Sequence, residues 1–152
     1  MEWEKVTIQK MDIKDLDEVF FLETSNPLPL WSKNMFIEEI KNPIAHCFVM
    51  KIDDGSKPLV IGFICFRNTT EESELLNLGV HPEYRQLGVG KRLMQFYIEF
   101  SSGRGIQDFY LEVHSSNYSA IHLYKSFSYQ SSGMREKFYQ GKFDALLMTK
   151  KV

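Results

Sequence analysis

The sequence predicts an α/β fold: a mixed sheet with helices on both faces. Short β-like apolar segments come in an unbroken run through the first half of the chain, then alternate with helical periods. A glycine-bearing turn sits mid-chain between a strand-like and a helix-like segment. No repeat, low-complexity tract or linker divides the 152 residues, a length suited to one domain with one core.

The elements follow in order. Val6-Thr7-Ile8 reads as a short first strand. Asp12 can cap a helix to about Glu23, with Ile13, Leu16, Val19 and Phe20 on one stripe. Asn26-Pro27-Leu28-Pro29-Leu30 ends it, because proline removes a donor and restricts the residue before it. Ser32 caps a second helix carrying Phe36, Ile37 and Ile40. Ile44 to Ile52 and Leu59 to Arg67 read as strands joined by the turn chemistry of Asp53-Asp54-Gly55-Ser56. Ser73 to Val80 is a fourth strand, and a helix from about Gly90 to Phe100 follows. Then come a strand at Asp108–Val113, a helix at Tyr118–Ser126, and strands near Met134–Tyr139 and Phe143–Thr149, the last two joined by Gln140-Gly141-Lys142.

Composition narrows the function classes. Hydrophobic residues at 43% and charged ones at 25% are globular values, and 14% aromatic residues predict a well-filled core or an apolar groove. A formal net charge of −2 offers no basic footprint for nucleic acid. No apolar run approaches the roughly 20 residues that span a bilayer, and no basic-plus-apolar leader precedes the first strand. Cys47 and Cys65 lie in apolar runs and read as buried free thiols, which suits a reducing, cytoplasmic setting. His46, His81, His114 and His122 have no metal-ligand spacing with the cysteines, so no metal is expected. No coiled-coil repeat is visible, and a monomer or a weak dimer fits equally.

The chemistry-bearing stretch is Arg85-Gln86-Leu87-Gly88-Val89-Gly90, with Lys91 after it. A strand, a glycine turn and a helix start make an anion cradle: first-turn N–H groups point outward, and the helix dipole adds positive potential. Gly88 and Gly90 let the backbone approach a pyrophosphate. A third glycine and an acid about 20 residues on, which a Rossmann loop needs, are absent, as is the Gly-Lys-Ser/Thr ending of a Walker loop.

Arg85-x-x-Gly88-x-Gly90 after Leu78-Gly79-Val80 resembles the acetyl-CoA signature of the GNAT N-acetyltransferase superfamily. The stretch from Leu111 through Glu112, His114, Asn117 and His122 to Tyr124 is similar to the segment that follows in the ribosomal-protein alanine N-acetyltransferase family. Trp31-Ser32 and Asp144-Ala145-Leu146-Leu147-Met148 extend the likeness over nearly the whole chain. The resemblance implies a GNAT fold of about seven strands and four helices, splayed between the fourth and fifth strands, with acetyl-CoA in the splay. It implies direct attack by a primary amine through a tetrahedral intermediate, with a protein N-terminal α-amine of the ribosomal S18 type first among acceptors.

Alternation puts Tyr110, Glu112 and His114 on the strand face opposite Phe109, Leu111 and Val113. That face suits simple solvation; the resemblance makes Glu112 a general base. An α-amine, with pKa near 8, needs less help than a lysine amine near 10.4, which costs about 3 kcal/mol more to deprotonate. Tyr124 stands at helical spacing with Ala120, Leu123 and Phe127, which by itself describes a core tyrosine; the resemblance makes it the acid that protonates the departing thiolate. Asn117 reads as an N-cap and, by resemblance, a CoA contact. Leu78, Gly79 and Val80 are expected to supply backbone N–H groups to pantetheine and the oxyanion, with a bulge admissible at Gly79. By resemblance, the apolar loop Leu28-Pro29-Leu30-Trp31 helps form the wall around the acceptor's first residues, Tyr139 bonds the acceptor backbone, and Glu23 is a further candidate near that groove. Glu71-Glu72-Ser73-Glu74 is either a solvated hairpin end or an attraction for a basic tail.

The chain departs from the family pattern at a few positions. His114 replaces a usual arginine, Leu87 a frequent arginine in the pyrophosphate loop, Ser128 a usual glycine and Tyr129 a usual phenylalanine. If the family glycine holds a positive φ, Ser128 is strained. A small-amine or lysine acetyltransferase remains an alternative within the fold, and a non-catalytic CoA-binding sensor or interaction module one outside the enzyme class.

Overall fold

A computed structural model describes residues 1–139, 141 and 143–152. Its strands are β1 (Val6–Lys10), β2 (Ala45–Ile52), β3 (Leu59–Asn68), β4 (Glu72–Val80), β5 (Asp108–His114), β6 (Gln130–Tyr139) and β7 (Phe143–Lys151). Its α-helices are α1 (Leu16–Thr24), α2 (Lys33–Lys41), α3 (Val89–Ser102) and α4 (Tyr118–Ser126). The strands form one seven-stranded sheet in the order β1-β2-β3-β4-β5-β7-β6. Only β4 and β5 run parallel, and their register covers just Glu72↔Asp108 to Leu75↔Leu111. Beyond Leu75 the two strands part, and this opening positions the site.

Two apolar clusters hold the sheet. One face packs Phe66, Leu75, Phe109 and Met148 against Leu93, Met94 and Tyr97 of α3. The other packs Val49, Val60, Phe63 and Cys65 against Val19 and Leu22 of α1 and Phe36 of α2. Both cysteines are free and buried. Buried charges carry partners: Glu39 takes a two-pronged grip from Arg67 at 2.7 Å and 2.7 Å, and Asp15 pairs with Lys51 at 2.8 Å.

Local chemistry sets the helix starts. Asp12 accepts from the Lys14 N–H, and Asp15 reaches back to the Asp12 N–H, closing a capping box. That first turn is 3₁₀, however, and Ile13 points outward at 51% exposure, so the predicted stripe begins at Leu16. Ser32 caps α2 through the Met35 N–H, and Asn117 caps α4 through the Ala120 N–H.

Two other expectations need correction. β6 begins at Gln130, not near Met134. Gln130-Ser131-Ser132-Gly133 has turn-like composition, but this is an edge strand with exposed residues, and pairing with β7 imposes its extended form. The break in β3–β4 register lies between the Cys65↔Asn77 and Phe66↔Leu75 pairs, so the extra residue is Leu76 rather than Gly79. Gly79 serves a different need: a Cβ there would lie 2.2 Å from the Phe63 ring. The joining residues Gln140 and Lys142 lie outside the described residues; Gly141 between them has φ +68°.

Candidate functional site

Where β4 and β5 part, a cleft of about 540 Å³ opens through the sheet. Its lining includes Leu78, Gly79, Val80, Gln86, Gly88, Gly90, Lys91, Asn117 and Tyr124, and on the other side Leu28, Leu30, Glu112 and Tyr139. One continuous opening thus joins a phosphate-type loop to a carboxylate.

The loop between β4 and α3 is shaped as a nest. Gln86 has φ +62° and Gly88 φ +94°, with Leu87 between them exposed and outside the cleft lining. Left-handed residues alternating with ordinary ones turn successive N–H groups to one side, forming an anion-binding concavity. Gly88 is the N-cap of the 14-residue α3 and brings no side chain to its first turn. Those donors therefore face the cleft without a capping competitor, and the dipole of a long helix stands behind them. This cradle fits a pyrophosphate. Arg85 contributes differently from what its charge suggests: its guanidinium donates to the carbonyls of Val80 (3.4 Å) and Ser25 (3.1 Å), tying the end of α1 to the end of β4.

The parted strand supplies backbone. Leu76 to Val80 have no register partner on β5, while Leu78 and Val80 still pair with Ile64 and Gly62 of β3. Asn117 spends its side-chain oxygen on the Ala120 N–H at 3.2 Å. Its amide nitrogen remains for the cleft, so capping and ligand contact are compatible.

Glu112 projects from β5 into the cleft and pairs with Arg135 Nη2 on β6 at 2.9 Å. Arg135 escaped the sequence reading because the pair joins two strands distant in the chain, and no local spacing signals it. Tyr139 lines the same region; burial, reinforced by the Glu112 carboxylate, pushes its phenol up to about 12. Tyr124 is 8% exposed, and burial pushes its hydroxyl well above the usual phenol range, with Tyr139 adding to the effect. A phenol so held stays protonated, so it carries a proton to give, and giving it to a thiolate is further uphill than from an ordinary phenol. His114 is buried, stacks on Tyr139 at 5.2 Å and leans on Phe143 at 4.5 Å. Its Nδ1 faces the Ser116 N–H at 3.2 Å, so the residue in the usual arginine position braces the last hairpin.

Two predicted wall residues sit elsewhere. Trp31 packs edge-on against Phe36 at 4.9 Å and lines a separate depression with Met35, Glu38 and Arg67. The proline-flanked loop turns Leu28 and Leu30 to the cleft instead, because Trp31 is drawn into the apolar layer under α2. Glu23 is 1% exposed and lies behind the wall. Its Oε2 accepts from the Trp31 N–H (2.7 Å), Asn77 Nδ2 (3.0 Å) and the Leu30 N–H (3.3 Å). Burial pushes its carboxyl above the usual range against the pull of those donors. It pins the wall and does not face the cleft. Asn77, its partner on β4, was not singled out from sequence.

Among the described residues no cluster of three or more His, Cys, Asp or Glu could hold a metal ion, and no helix is long and apolar enough to cross a membrane.

A mixed sheet parted beside a glycine-rich phosphate cradle defines an acetyltransferase of the GNAT type. The chain belongs to the acetyltransferase (GNAT) family, whose sequence profile matches residues 11–129, and it is an N-acetyltransferase. Among its relatives, a Bacillus subtilis protein provisionally named ribosomal protein bS18-alanine N-acetyltransferase is 30% identical over 95% of this chain and 94% of that protein. The Escherichia coli K12 ribosomal protein bS18-alanine N-acetyltransferase is 27% identical over 93% of this chain and 95% of its own. The crystal structure of the E. coli ribosomal-protein-S18-alanine N-acetyltransferase superposes with a TM-score of 0.85 at 26% identity, covering 97% of this chain and 94% of that one. Arabidopsis thaliana NAA60, solved with acetyl-CoA, shares the fold at a TM-score of 0.83 and 21% identity.

Proposed function

We propose that this enzyme acetylates the α-amine of a protein N-terminus, with an alanine-starting ribosomal protein of the S18 type as the first candidate. The observation that carries this reading is the meeting, in one cleft, of the Glu112 carboxylate, the buried Tyr124 hydroxyl and the open nest of Gln86 to Gly90. Likeness to bS18-alanine N-acetyltransferases along most of the chain supports the acceptor class.

When bound, acetyl-CoA supplies the activated thioester acetyl group. The nest N–H groups and Lys91 hold its pyrophosphate, with Asn117 as a further contact. The unpaired edge of Leu78, Gly79 and Val80 offers N–H groups to pantetheine and to the developing oxyanion. Glu112 takes the proton of the entering amine, directly or through water. Tyr124 gives its proton to the leaving thiolate. Leu28, Leu30 and Tyr139 wall the acceptor's first residues, and Glu23 keeps that wall in place. A carboxylate as the base suits an α-amine that is already partly neutral better than a lysine.

The test is thiol release with two short peptides. One carries a free N-terminal alanine and a capped lysine; the other carries a blocked N-terminus and a free lysine. Turnover of the first alone is expected, and turnover of the second alone overturns the acceptor class. Glu112→Gln and Tyr124→Phe should each lower kcat by about 10²-fold or more while acetyl-CoA affinity stays nearly unchanged. Full turnover in either variant removes that residue from the chemistry.

A further inference from the structure

We infer that Arg135 is a positioning residue for the base: its contact orients the Glu112 carboxylate for the amine. The inference rests on the reading of Glu112 as the base and extends it to a residue two strands away. Arg135 pairs with Ala145 of β7, which pairs with His114 of β5, so the sheet sets Arg135 level with His114, one same-face step along from the candidate base and within side-chain reach of it. Its Nη2 stands 2.9 Å from Glu112 Oε1, while its guanidinium lies over the Phe138 ring at 5.2 Å. The guanidinium is thus steered from one side by the carboxylate and from the other by an aromatic face.

The structure gives this pair a close contact of Nη2 on Oε1, whereas Arg67 grips Glu39 with two hydrogen bonds, one to each carboxylate oxygen. The Arg135 contact restrains the rotation of the Glu112 carboxylate. The Arg135 side chain is 55% exposed against 22% for Glu112. Water screens an ion pair of that exposure, so the contact orients the carboxylate more than it binds it.

The experiment measures kcat and both KM values on whichever peptide is turned over, for wild type, Arg135→Met, Arg135→Lys, Glu112→Gln and the Glu112→Gln/Arg135→Met double variant. Arg135→Met should lower kcat about 10-fold, since small misplacements of a reacting group have large rate effects. The KM for acetyl-CoA should stay within about twofold and the melting temperature close to wild type, because the side chain is exposed. Lysine should restore part of the rate. In the Glu112→Gln background, Arg135→Met should cause no further loss. A change in peptide KM alone would make Arg135 an acceptor contact and overturn the inference, as would an equal loss of kcat in both backgrounds. Full activity of Glu112→Gln by itself would instead defeat the reading of the base, a result recognisable without any Arg135 variant.

Discussion

Replacing Glu23 with alanine should loosen the acceptor wall and weaken the fold together. Glu23 Oε2 gathers three donors: the Trp31 N–H at 2.7 Å, Asn77 Nδ2 at 3.0 Å and the Leu30 N–H at 3.3 Å. Asn77 is 5% exposed, so its orphaned amide costs about 1–3 kcal/mol. The two backbone donors are only partly buried and can turn to water, adding roughly 1 kcal/mol each. Loss of the one methylene beyond Cβ adds about 0.8 kcal/mol. Relief of a buried carboxylate, whose pKa burial has raised, returns part of this. The net loss is about 3 kcal/mol, or roughly 6–12 °C in melting temperature for a chain of this size. Leu28 and Leu30 line the cleft through the loop that Glu23 holds, so peptide KM should rise about 10-fold while the KM for acetyl-CoA moves little. Thermal melts and steady-state kinetics on the same preparation check both. Glu23→Gln keeps one accepting oxygen and should fall between the two. A loss below about 1 kcal/mol with unchanged peptide KM would refute the assignment of Glu23 as the pin of this loop.

Three further outcomes are expected. Folded Glu23 holds its proton above the ordinary value of 4.5, so its contribution to stability is fully present below that pH and is lost as pH rises through the raised folded value. Urea midpoints between about pH 4 and pH 7 should therefore move in favour of Glu23→Gln relative to wild type as pH rises, and a constant gap would contradict this. Ser128 has φ +70°, a left-handed conformation that strains a residue with a Cβ. Ser128→Gly should raise stability by about 0.5–1 kcal/mol, the left-handed cost less the entropy of glycine, as read from denaturant midpoints. Gly79→Ala should cost about 1–3 kcal/mol in thermal unfolding, because its Cβ would meet the fully buried Phe63 ring at 2.2 Å.

Much of the architecture was legible in the sequence because local chemistry set it. Ser32 and Asn117 cap the helices they precede, and Asp12 starts the turn that leads into α1. The Gln86-to-Gly90 loop could be read as an anion cradle because glycine position and helix start are properties of a few adjacent residues. Ser128 was legible too, since one residue's conformation is a local quantity.

What the sequence determined by itself, then, was the order of strands and helices, the phosphate-type loop and the alternation that faces Glu112 away from Phe109 and Leu111. Tertiary structure alone decided which of these meet. Pairing of β4 with β5 ends at Leu75 and opens the cleft; Arg135 reaches Glu112 from the edge strand; Glu23 is withdrawn from the cleft to hold Trp31 and Asn77. Trp31 packs partly buried against Phe36 under α2, while Leu28 and Leu30 line the cleft. The physical reason is range. Caps, turns and alternation follow from neighbours in the chain, whereas ion pairs across strands and competition for apolar burial depend on which distant segments the sheet brings together.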